Sequence, residues 1–305
     1  MALTNCSVND EYSKLTAVVV GIGRSWGPDP TPEAAVDPKS RESLLAGTYP
    51  KEQDVVKELD QLAELLESES VTVYRPKNIN NLNQVFARDV GIVIGNKFLR
   101  TSMIADRAPE WEGISPIVAN ISDSNFIHPP DGVRFEGGDV MPMGDEIWVG
   151  YGDSEDFDKY KTARTNDEAL IWLGQTFPNH TIRSFALTKS DVDPRLNALH
   201  LDCCICVLGL GHAIFHPEGM KNTEDRQFIR EKFADQIVEV DAEAMYHMNC
   251  NLFSIAKDTV ISSTDFENVN DQLKNWGYRV LTTPMYETSK MEGLLRCVTL
   301  PLIRE

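Results

Sequence analysis

The sequence of 305 residues has little positive charge. It contains 29 Lys and Arg residues and 47 Asp and Glu residues, which gives a formal net charge of −18. Nucleic acids and anionic lipid surfaces both select proteins with a basic footprint, so neither class of partner is expected. Such an acidic surface maintains solubility, and it also assists the approach of a small cationic substrate.

Long hydrophobic runs are also lacking. The longest, Leu199–Leu210, contains His200 and Asp202 and falls short of the roughly 20 apolar residues of a membrane helix. Residues Met1–Asp10 do not show the basic and then apolar pattern of an export signal. We therefore expect a cytoplasmic protein with no membrane partner, in which the six cysteines are reduced.

A second pair of closely spaced cysteines is missing as well. Cys203 and Cys206 have the C-x-x-C spacing of some zinc and redox sites, but a zinc site needs further ligands. The run Cys203–Leu208 resembles the interior of a strand, where free cysteines are usually buried. Neither a metal ion nor an organic cofactor is expected.

Short strands alternate with helices along the chain, which is typical of the α/β class. The pattern predicts helices at Pro50–Glu67, Thr165–Thr176, Glu224–Phe233 and Asn268–Trp276. It predicts strands at Leu15–Gly21, Val71–Arg75, Val90–Ile94, Lys97–Arg100, Glu146–Gly150, Thr181–Ala186, Leu199–Leu208, Ala213–Phe215, Gln236–Glu239, Leu252–Ile255, Thr259–Ser262, Arg279–Thr282 and Cys297–Leu302. No linker divides the chain, so a single catalytic domain over residues 1–305 is expected. Residues Gly27–Thr48 are predicted to be a long surface loop with a little helix, and one role of such loops is to cover an active site.

Paired strands recur four times, in GIVIGNKFLRTS, GGDVMPMGDEIWVG, CVLGLGHAIFHP and NLFSIAKDTVISS. In each, a tight turn with Gly, Asn or Asp joins the two strands, and three of the four precede a helical stretch and a further strand. Units that cannot each bury a core alone are expected to stack around an axis.

Four clusters place polar side chains where a strand should be apolar. They are FARDVGIVIGN with Arg88 and Asp89, FEGGDVMP with Glu136, LHLDC with His200 and Asp202, and KMEGLLRCVTLPLIRE with Cys297. If LHLDC is a strand, His200 and Asp202 lie on the same face. Taken singly, each cluster also has an ordinary explanation. In the same order, these are a surface ion pair, a turn between strands, a hydrogen-bonded pair in the core and a buried thiol. Polarity in an apolar pattern is nevertheless typical of a functional site.

Together the clusters supply a thiol, an imidazole and three carboxylates. A thiol is nucleophilic as the thiolate, which forms more readily beside a positive charge. A bound guanidinium would supply that charge, and carboxylates bind a guanidinium through forked hydrogen bonds. The set therefore fits nucleophilic attack by Cys297 on a planar cationic carbon, with His200 moving protons.

The order ARD, EGGD, HLD and G-x-x-RC-x-T-L-P-L resembles the guanidino-group-modifying enzymes of the pentein superfamily, from about Asn83 to the C-terminus. These include arginine deiminases, dimethylarginine dimethylaminohydrolases and amidinotransferases. The resemblance implies a five-bladed β/α propeller of ββαβ-type repeats around a pseudo-fivefold axis.

The resemblance also implies a role for each matched residue. Cys297 would attack the guanidinium carbon and form a covalent amidino-thioether. His200, oriented by Glu136, would protonate the leaving amine and then activate water. Asp89 and Asp202 would bind the guanidinium nitrogens.

Two arginines are candidates for binding a carboxylate of the substrate. Arg107 lies in NKFLRTSMIADRAPE, which resembles the family stretch that carries a carboxylate-binding arginine. The spacing between Asp89 and Arg107 is one residue shorter than is usual in the family. Arg164 lies in GYGDSEDFDKYKTARTN, which resembles the deiminase pattern G-x-x-x-R-T-N with an insertion. An ordinary surface charge is the alternative for either. The segment Glu292–Leu295 departs from the glycine run of the deiminases and leaves the substrate open.

The leading interpretation is a hydrolase of arginine or an arginine-like guanidine, of the deiminase or dihydrolase type. The alternative is an amidinotransferase, in which an amine replaces water as the acceptor. A non-catalytic binder of a guanidinium ligand is a third reading, although it has no need of a thiol. A dinucleotide enzyme is disfavoured because Gly21–Gly23 and Gly209–Gly211 do not complete G-x-G-x-x-G. A homo-oligomer is compatible with the sequence.

Overall fold

The computed structural model describes residues 3–305, and this part of the chain forms fifteen strands and ten α-helices. The strands are β1 Leu15–Val20, β2 Thr72–Tyr74, β3 Gly91–Ile94, β4 Lys97–Arg100, β5 Phe126–Ile127, β6 Val140–Met143, β7 Glu146–Tyr151, β8 Thr181–Ala186, β9 Ile205–Val207, β10 Ala213–Phe215, β11 Ile237–Glu239, β12 Phe253–Ala256, β13 Thr259–Ser263, β14 Arg279–Thr283 and β15 Thr299–Arg304. The helices are α1 Pro38–Leu45, α2 Glu52–Ser68, α3 Trp111–Val118, α4 Ser154–Lys159, α5 Asp167–Thr176, α6 Leu201–Cys204, α7 Thr223–Phe233, α8 Ala242–Tyr246, α9 Glu267–Asn275 and α10 Tyr286–Ser289.

The strands form five separate three-stranded sheets. In four of them, β3–β5, β6–β8, β9–β11 and β12–β14, the first two strands pair antiparallel and the third pairs parallel to the second. A short turn can join antiparallel strands, whereas parallel strands need a crossover. The helices α3, α5, α7 and α9 provide these crossovers. Each unit therefore has the expected ββαβ order.

The fifth unit is assembled from the two ends of the chain. The last strand, β15, pairs antiparallel with β1, so that Thr299 lies opposite Val20 and Arg304 opposite Leu15. The strand β2 pairs parallel to β1, and α1 and α2 lie between them in sequence. The expected α/β architecture of five repeated units is confirmed.

The helix α2 shows how the pattern of apolar residues positions an element. Val55, Leu59, Leu62 and Leu66 recur at helical spacing, and all four are fully buried. Each such side chain contributes about 1.5–3 kcal/mol relative to an exposed one. Across residues 3–305, none of the helices has both the length and the apolar character needed to cross a membrane.

The predicted strand Leu199–Leu208 is wrong in its first half. Residues Leu201–Cys204 form the helical turn α6, and the strand β9 begins only at Ile205. The backbone N–H of Leu201 donates to the carboxylate of Asp139 at 3.0 Å, not to a neighbouring strand. His200 and Asp202 therefore do not share the face of a strand.

The segment Gly27–Thr48 contains the helix α1, as its mixed composition suggested. Asp37 caps this helix by accepting a hydrogen bond from the backbone N–H of Ser40 at 2.7 Å. Pro38 occupies the first turn, where its missing N–H costs no hydrogen bond. The segment is thus ordered by local signals.

Gly21 follows β1 at a point where two backbone segments approach closely. A Cβ atom there would lie 1.8 Å from the carbonyl oxygen of Val85, which cannot turn away as a side chain can. We expect Gly21→Ala to lower the free energy of unfolding by about 1–3 kcal/mol or more, as overpacking does. Urea denaturation measures this change.

Gly174, on α5, provides the matched control. A Cβ there would meet the side chain of Ile182 at 3.6 Å, an ordinary contact. Gly174→Ala should leave stability unchanged or raise it by up to about 1 kcal/mol, because alanine favours the helix. Equal losses in both variants would contradict the account of Gly21.

Candidate active site

Four of the seven predicted site residues lie on the turns that lead into the first strand of a unit. Asp89 precedes β3, Glu136 precedes β6, His200 precedes β9 and Cys297 precedes β15. The corresponding position before β12 is held by Asn251. Contacts between these turns show that they meet, although the residues lie far apart in sequence.

His200 contacts two of the predicted carboxylates. Its Nε2 lies 2.9 Å from Oε2 of Glu136, and its Nδ1 lies 3.6 Å from Oδ1 of Asp89. Burial lowers the pKa of His200, but Asp89, Asp139 and Glu136 outweigh it and raise the pKa to about 9. The imidazole is therefore protonated at neutral pH.

Glu136 is held as a carboxylate although it is fully buried. Burial alone raises the pKa of Glu136, but Arg164, His200 and Arg107 outweigh it and hold the pKa well below its usual range. Arg164 donates from Nη1 to both carboxylate oxygens, at 3.0 and 3.1 Å. This pairing fixes the negative charge beside His200.

Cys297 is oriented by Asn251, which the sequence reasoning missed. The side-chain Nδ2 of Asn251 donates to the sulfur of Cys297 at 3.1 Å. Its Oδ1 accepts from the backbone N–H groups of Arg296 at 2.9 Å and of Cys297 at 3.2 Å. Burial, with Asp202 and Asp89 nearby, raises the pKa of the Cys297 thiol. A cation bound beside the sulfur would offset that rise.

Asp202 lies behind Cys297 and is paired with an arginine. Its Oδ2 accepts from Nη1 of Arg296 at 2.7 Å and lies 3.7 Å from the sulfur of Cys297. Arg296 also donates to both oxygens of Glu11, each at 3.0 Å. Burial raises the pKa of Glu11, but the adjacent Arg296 and Arg88 outweigh it and lower the pKa to about 2. Arg296 and Glu11 were not predicted.

A cavity of about 220 Å³ opens in front of Cys297. Five of the seven predicted site residues line it: Asp89, Arg107, Arg164, His200 and Cys297. Glu136 and Asp202 stand behind this wall, with their side chains buried. Much of the remaining wall is apolar, from Trp26, Tyr49, Phe86, Leu199 and Met291. Residues of the Gly27–Thr48 segment, including Val36 and Ser40, also line the cavity.

The two predicted carboxylate-binding arginines already bind acceptors of the protein. Arg107 donates to Asp89 at 2.7 Å, to Glu110 at 2.7 and 3.0 Å, and to the carbonyl oxygen of Phe86 at 3.2 Å. Arg164 binds Glu136 and the carbonyl oxygens of Lys161 and Val36. An arginine has five N–H donors, and most of those of Arg107 and Arg164 are already used. Each arginine therefore has few N–H donors left for a substrate carboxylate. Their role toward substrate stays a prediction.

Two sets of three buried residues each have possible metal-ligand atoms within 4.8 Å of one another. The first set is Asp202, Cys203 and Cys297, and the second is Asp89, Glu136 and His200. Their carboxylates already bind guanidinium groups, from Arg296 in the first group and from Arg107 and Arg164 in the second. The charge of these carboxylates is thus compensated by the protein itself.

Only some of the missed residues left a signal in the sequence. Asn251 is the first residue of NLFSIAKDTVISS, one of the four repeated strand pairs, so its place before a first strand was visible. Arg296 lies inside the motif of Cys297. Glu11 has no motif of its own, and it meets Arg296 across 285 positions of the chain.

Asn251→Ala removes the donor to the sulfur of Cys297, so the pKa of this thiol should rise. Hydrogen bonds to charged groups contribute about 1.5–3 kcal/mol, so alkylation of Cys297 by iodoacetamide at neutral pH should slow about tenfold. Mass spectrometry of the peptide 297–304 measures the rate. Asn270→Ala, at another buried asparagine that binds the carbonyl oxygen of Ser263, should alkylate as the wild type does. An unchanged rate in Asn251→Ala would contradict this role.

Known proteins resemble this chain in sequence and in fold. The family model described as N,N dimethylarginine dimethylhydrolase, eukaryotic, matches residues 31–304. The uncharacterized protein YkgA of Bacillus subtilis is 28% identical over 247 residues, which cover 80% of this chain and 78% of YkgA. The bifunctional arginine dihydrolase/ornithine cyclodeaminase AgrE of a Nostoc species is 25% identical over 224 residues, which cover 71% of this chain but only 29% of AgrE.

Among solved structures, SxtG, an amidinotransferase from Microseira wollei, matches with a TM-score of 0.74. The match covers 98% of this chain and 97% of SxtG at 18% sequence identity, which shows a common fold. The five repeated units therefore have the fold that the resemblance to the pentein superfamily implies. Since the family model spans nearly the whole chain, this protein belongs to the N,N-dimethylarginine dimethylhydrolase family of guanidino-group-modifying enzymes.

Proposed function

We propose that this protein hydrolyses the guanidino group of arginine or of a close relative such as an N-methylated arginine. The observation that carries the proposal is that Cys297, His200 and Asp89 line one cavity, with Glu136 and Asn251 directly behind them. The carboxylate suits a planar cation, and the thiol and the protonated imidazole suit nucleophilic attack on its carbon followed by protonation of the leaving amine. The family match and the arginine dihydrolase AgrE support this substrate class.

Binding of the substrate begins the reaction. The guanidinium enters the cavity between Asp89 and Cys297, and its positive charge offsets the burial that raises the pKa of the thiol. Asn251 donates a hydrogen bond to the sulfur and so favours the thiolate. Binding of the cation thus increases the fraction of Cys297 that is thiolate.

The thiolate of Cys297 then attacks the guanidinium carbon. When the carbon–nitrogen bond breaks, the leaving amine takes a proton from His200, whose pKa of about 9 keeps it protonated at neutral pH. A covalent amidino-thioether remains on Cys297. The neutral His200 accepts a proton from water, which attacks the same carbon and releases the sulfur. From arginine the products are ammonia and citrulline, and a dihydrolase would continue to ornithine.

An amidinotransferase is the second candidate, favoured by the pentein fold that this chain shares with SxtG. It has the same first half-reaction, and an amine in place of water attacks the thioether. A non-catalytic guanidinium binder fits less well, because binding alone does not need a thiol held by Asn251 or an imidazole held protonated by Glu136.

The first test is product analysis by mass spectrometry with arginine, agmatine, methylated arginines and guanidinoacetate, each with and without glycine or ornithine. We expect citrulline, or citrulline plus ornithine, without an added amine acceptor. Cys297→Ser should lower turnover at least about 1000-fold, because it removes the nucleophile. Cys206→Ser, at a buried cysteine away from the cavity, should keep turnover. Product formed only with an acceptor would mean an amidinotransferase, and full activity of Cys297→Ser would refute the mechanism.

The pH dependence of kcat/KM tests the role of Glu136. His200 must be protonated to act as the acid, so activity should fall as the pH rises through about 9. Glu136→Gln removes a carboxylate that raises the pKa of His200, so the fall should begin at a lower pH. Glu112→Gln, on the exposed side of α3, is the control and should keep the wild-type profile. If the activity of Glu136→Gln falls at the same alkaline pH as that of the wild type, Glu136 does not set the pKa of His200.

A further inference from the structure

A second thiol lies beside the proposed nucleophile. The sulfur of Cys203 lies within 4.8 Å of the sulfur of Cys297 and of a carboxylate oxygen of Asp202. All six cysteines are free. Cys203 has no part in the hydrolytic mechanism. The thiol of the neighbouring Cys204 instead points to the backbone, where it donates to the carbonyl oxygen of Leu201 at 3.3 Å. The pairing of two thiols at the nucleophile therefore needs its own explanation.

The two sulfurs lie within 4.8 Å of each other and are not bonded. A disulfide bond needs about 2.05 Å between sulfurs, so both side chains would have to turn toward each other. Cys203 lies on α6, a helix of only four residues, and Cys297 lies on the turn before β15. Neither side chain is therefore fixed inside a long helix or a strand ladder.

The two thiols differ in their access to solvent. Cys297 lines the cavity, whereas Cys203 is 1% exposed and does not contribute to the cavity wall. A small oxidant in the cavity therefore meets Cys297 first. The contact with Cys297 and burial hold the pKa of Cys203 well above its ordinary value, so it is a thiol until a reaction partner appears.

Asp202 provides the base that such a thiol needs. Its Oδ1 accepts from the Cys203 thiol at 3.7 Å and lies 3.8 Å from the sulfur of Cys297. A proton leaving Cys203 thus has an acceptor beside the point at which the two sulfurs would join. Sensor cysteines that react with peroxide commonly have such a second, resolving cysteine next to them.

We propose that Cys203 is a resolving cysteine, which joins Cys297 in a reversible disulfide when a hydroperoxide oxidises the nucleophile. The Cys297 sulfur attacks the peroxide, the O–O bond breaks, and Cys297 becomes a sulfenic acid while water or an alcohol leaves. The sulfur of Cys203 then attacks the sulfenic sulfur, the S–O bond breaks, and the hydroxyl group leaves as water with the proton from Cys203. With hydrogen peroxide, two thiols are oxidised and two water molecules form.

The disulfide would stop turnover reversibly and protect Cys297. Without a resolving thiol, further peroxide converts a sulfenic acid to a sulfinic acid, which thiol reductants do not reverse. The inference requires a reactive Cys297 thiol open to the cavity, and it does not depend on which guanidine is the substrate.

The test treats the full chain with hydrogen peroxide and compares the wild type with Cys203→Ser and Cys204→Ser. Trypsin separates Cys297, in the peptide 297–304, from Cys203, which shares the peptide 196–221 with Cys204 and Cys206. The wild type should lose about 2 Da, link these two peptides and regain activity with dithiothreitol. Cys204→Ser removes a neighbouring buried thiol and should behave as the wild type, so that loss of the link in Cys203→Ser alone assigns it to Cys203.

Cys203→Ser should instead gain about 32 Da on the peptide 297–304, and its activity should not return with dithiothreitol. A wild-type protein that forms the sulfinic acid as fast as Cys203→Ser, with no link between the peptides, would overturn the proposal. If Cys203→Ser does not fold, fragmentation of the linked peptides from the wild type still shows which cysteine is joined to Cys297. Because the readout is mass, it stands even if no tested guanidine is a substrate.

Discussion

The buried ion pairs of Arg296 hold the centre of this protein together. One guanidinium binds Glu11 from the N-terminal segment and Asp202 on α6, and it also donates to the carbonyl oxygens of Gly138 at 3.3 Å and Val140 at 2.9 Å. Removing one partner of a buried ion pair costs about 3–5 kcal/mol, because the other charge stays buried. The residue beside the nucleophile therefore joins segments from three parts of the chain, and the position of Cys297 depends on all of them.

A second set of buried charges determines the chemistry of the cavity. Arg164 keeps Glu136 ionised, and Glu136 with Asp89 keeps His200 protonated, so four charged groups lie in a site with little solvent. Charge interactions are stronger in such a site than in water. The thiol of Cys297, whose pKa burial raises, is the neutral member of the set. A cationic substrate changes that balance, and the net charge of −18 assists its approach.

The wall of the cavity is connected to this set of charges. Arg164 donates to the carbonyl oxygen of Val36 at 2.6 Å, so the side chain that binds Glu136 also holds the segment that carries α1. Asp202 has a comparable double role, since it accepts from Arg296 and lies beside the sulfurs of Cys203 and Cys297. Binding, proton transfer and the chemistry of the thiols thus depend on shared side chains.

The sequence by itself determined the α/β class, most strands, the four longest helices, the repeated strand pairs and the order of the four polar motifs, because these are local patterns. Only the tertiary structure showed that Leu201–Cys204 is a helical turn, that Asn251 binds the nucleophile and that Glu11 pairs with Arg296. The reason is physical. Asp202 and Arg296 lie 94 positions apart, and Glu11 and Arg296 lie 285 apart. Such contacts depend on how the five units pack against one another, and no periodicity in the chain encodes that packing.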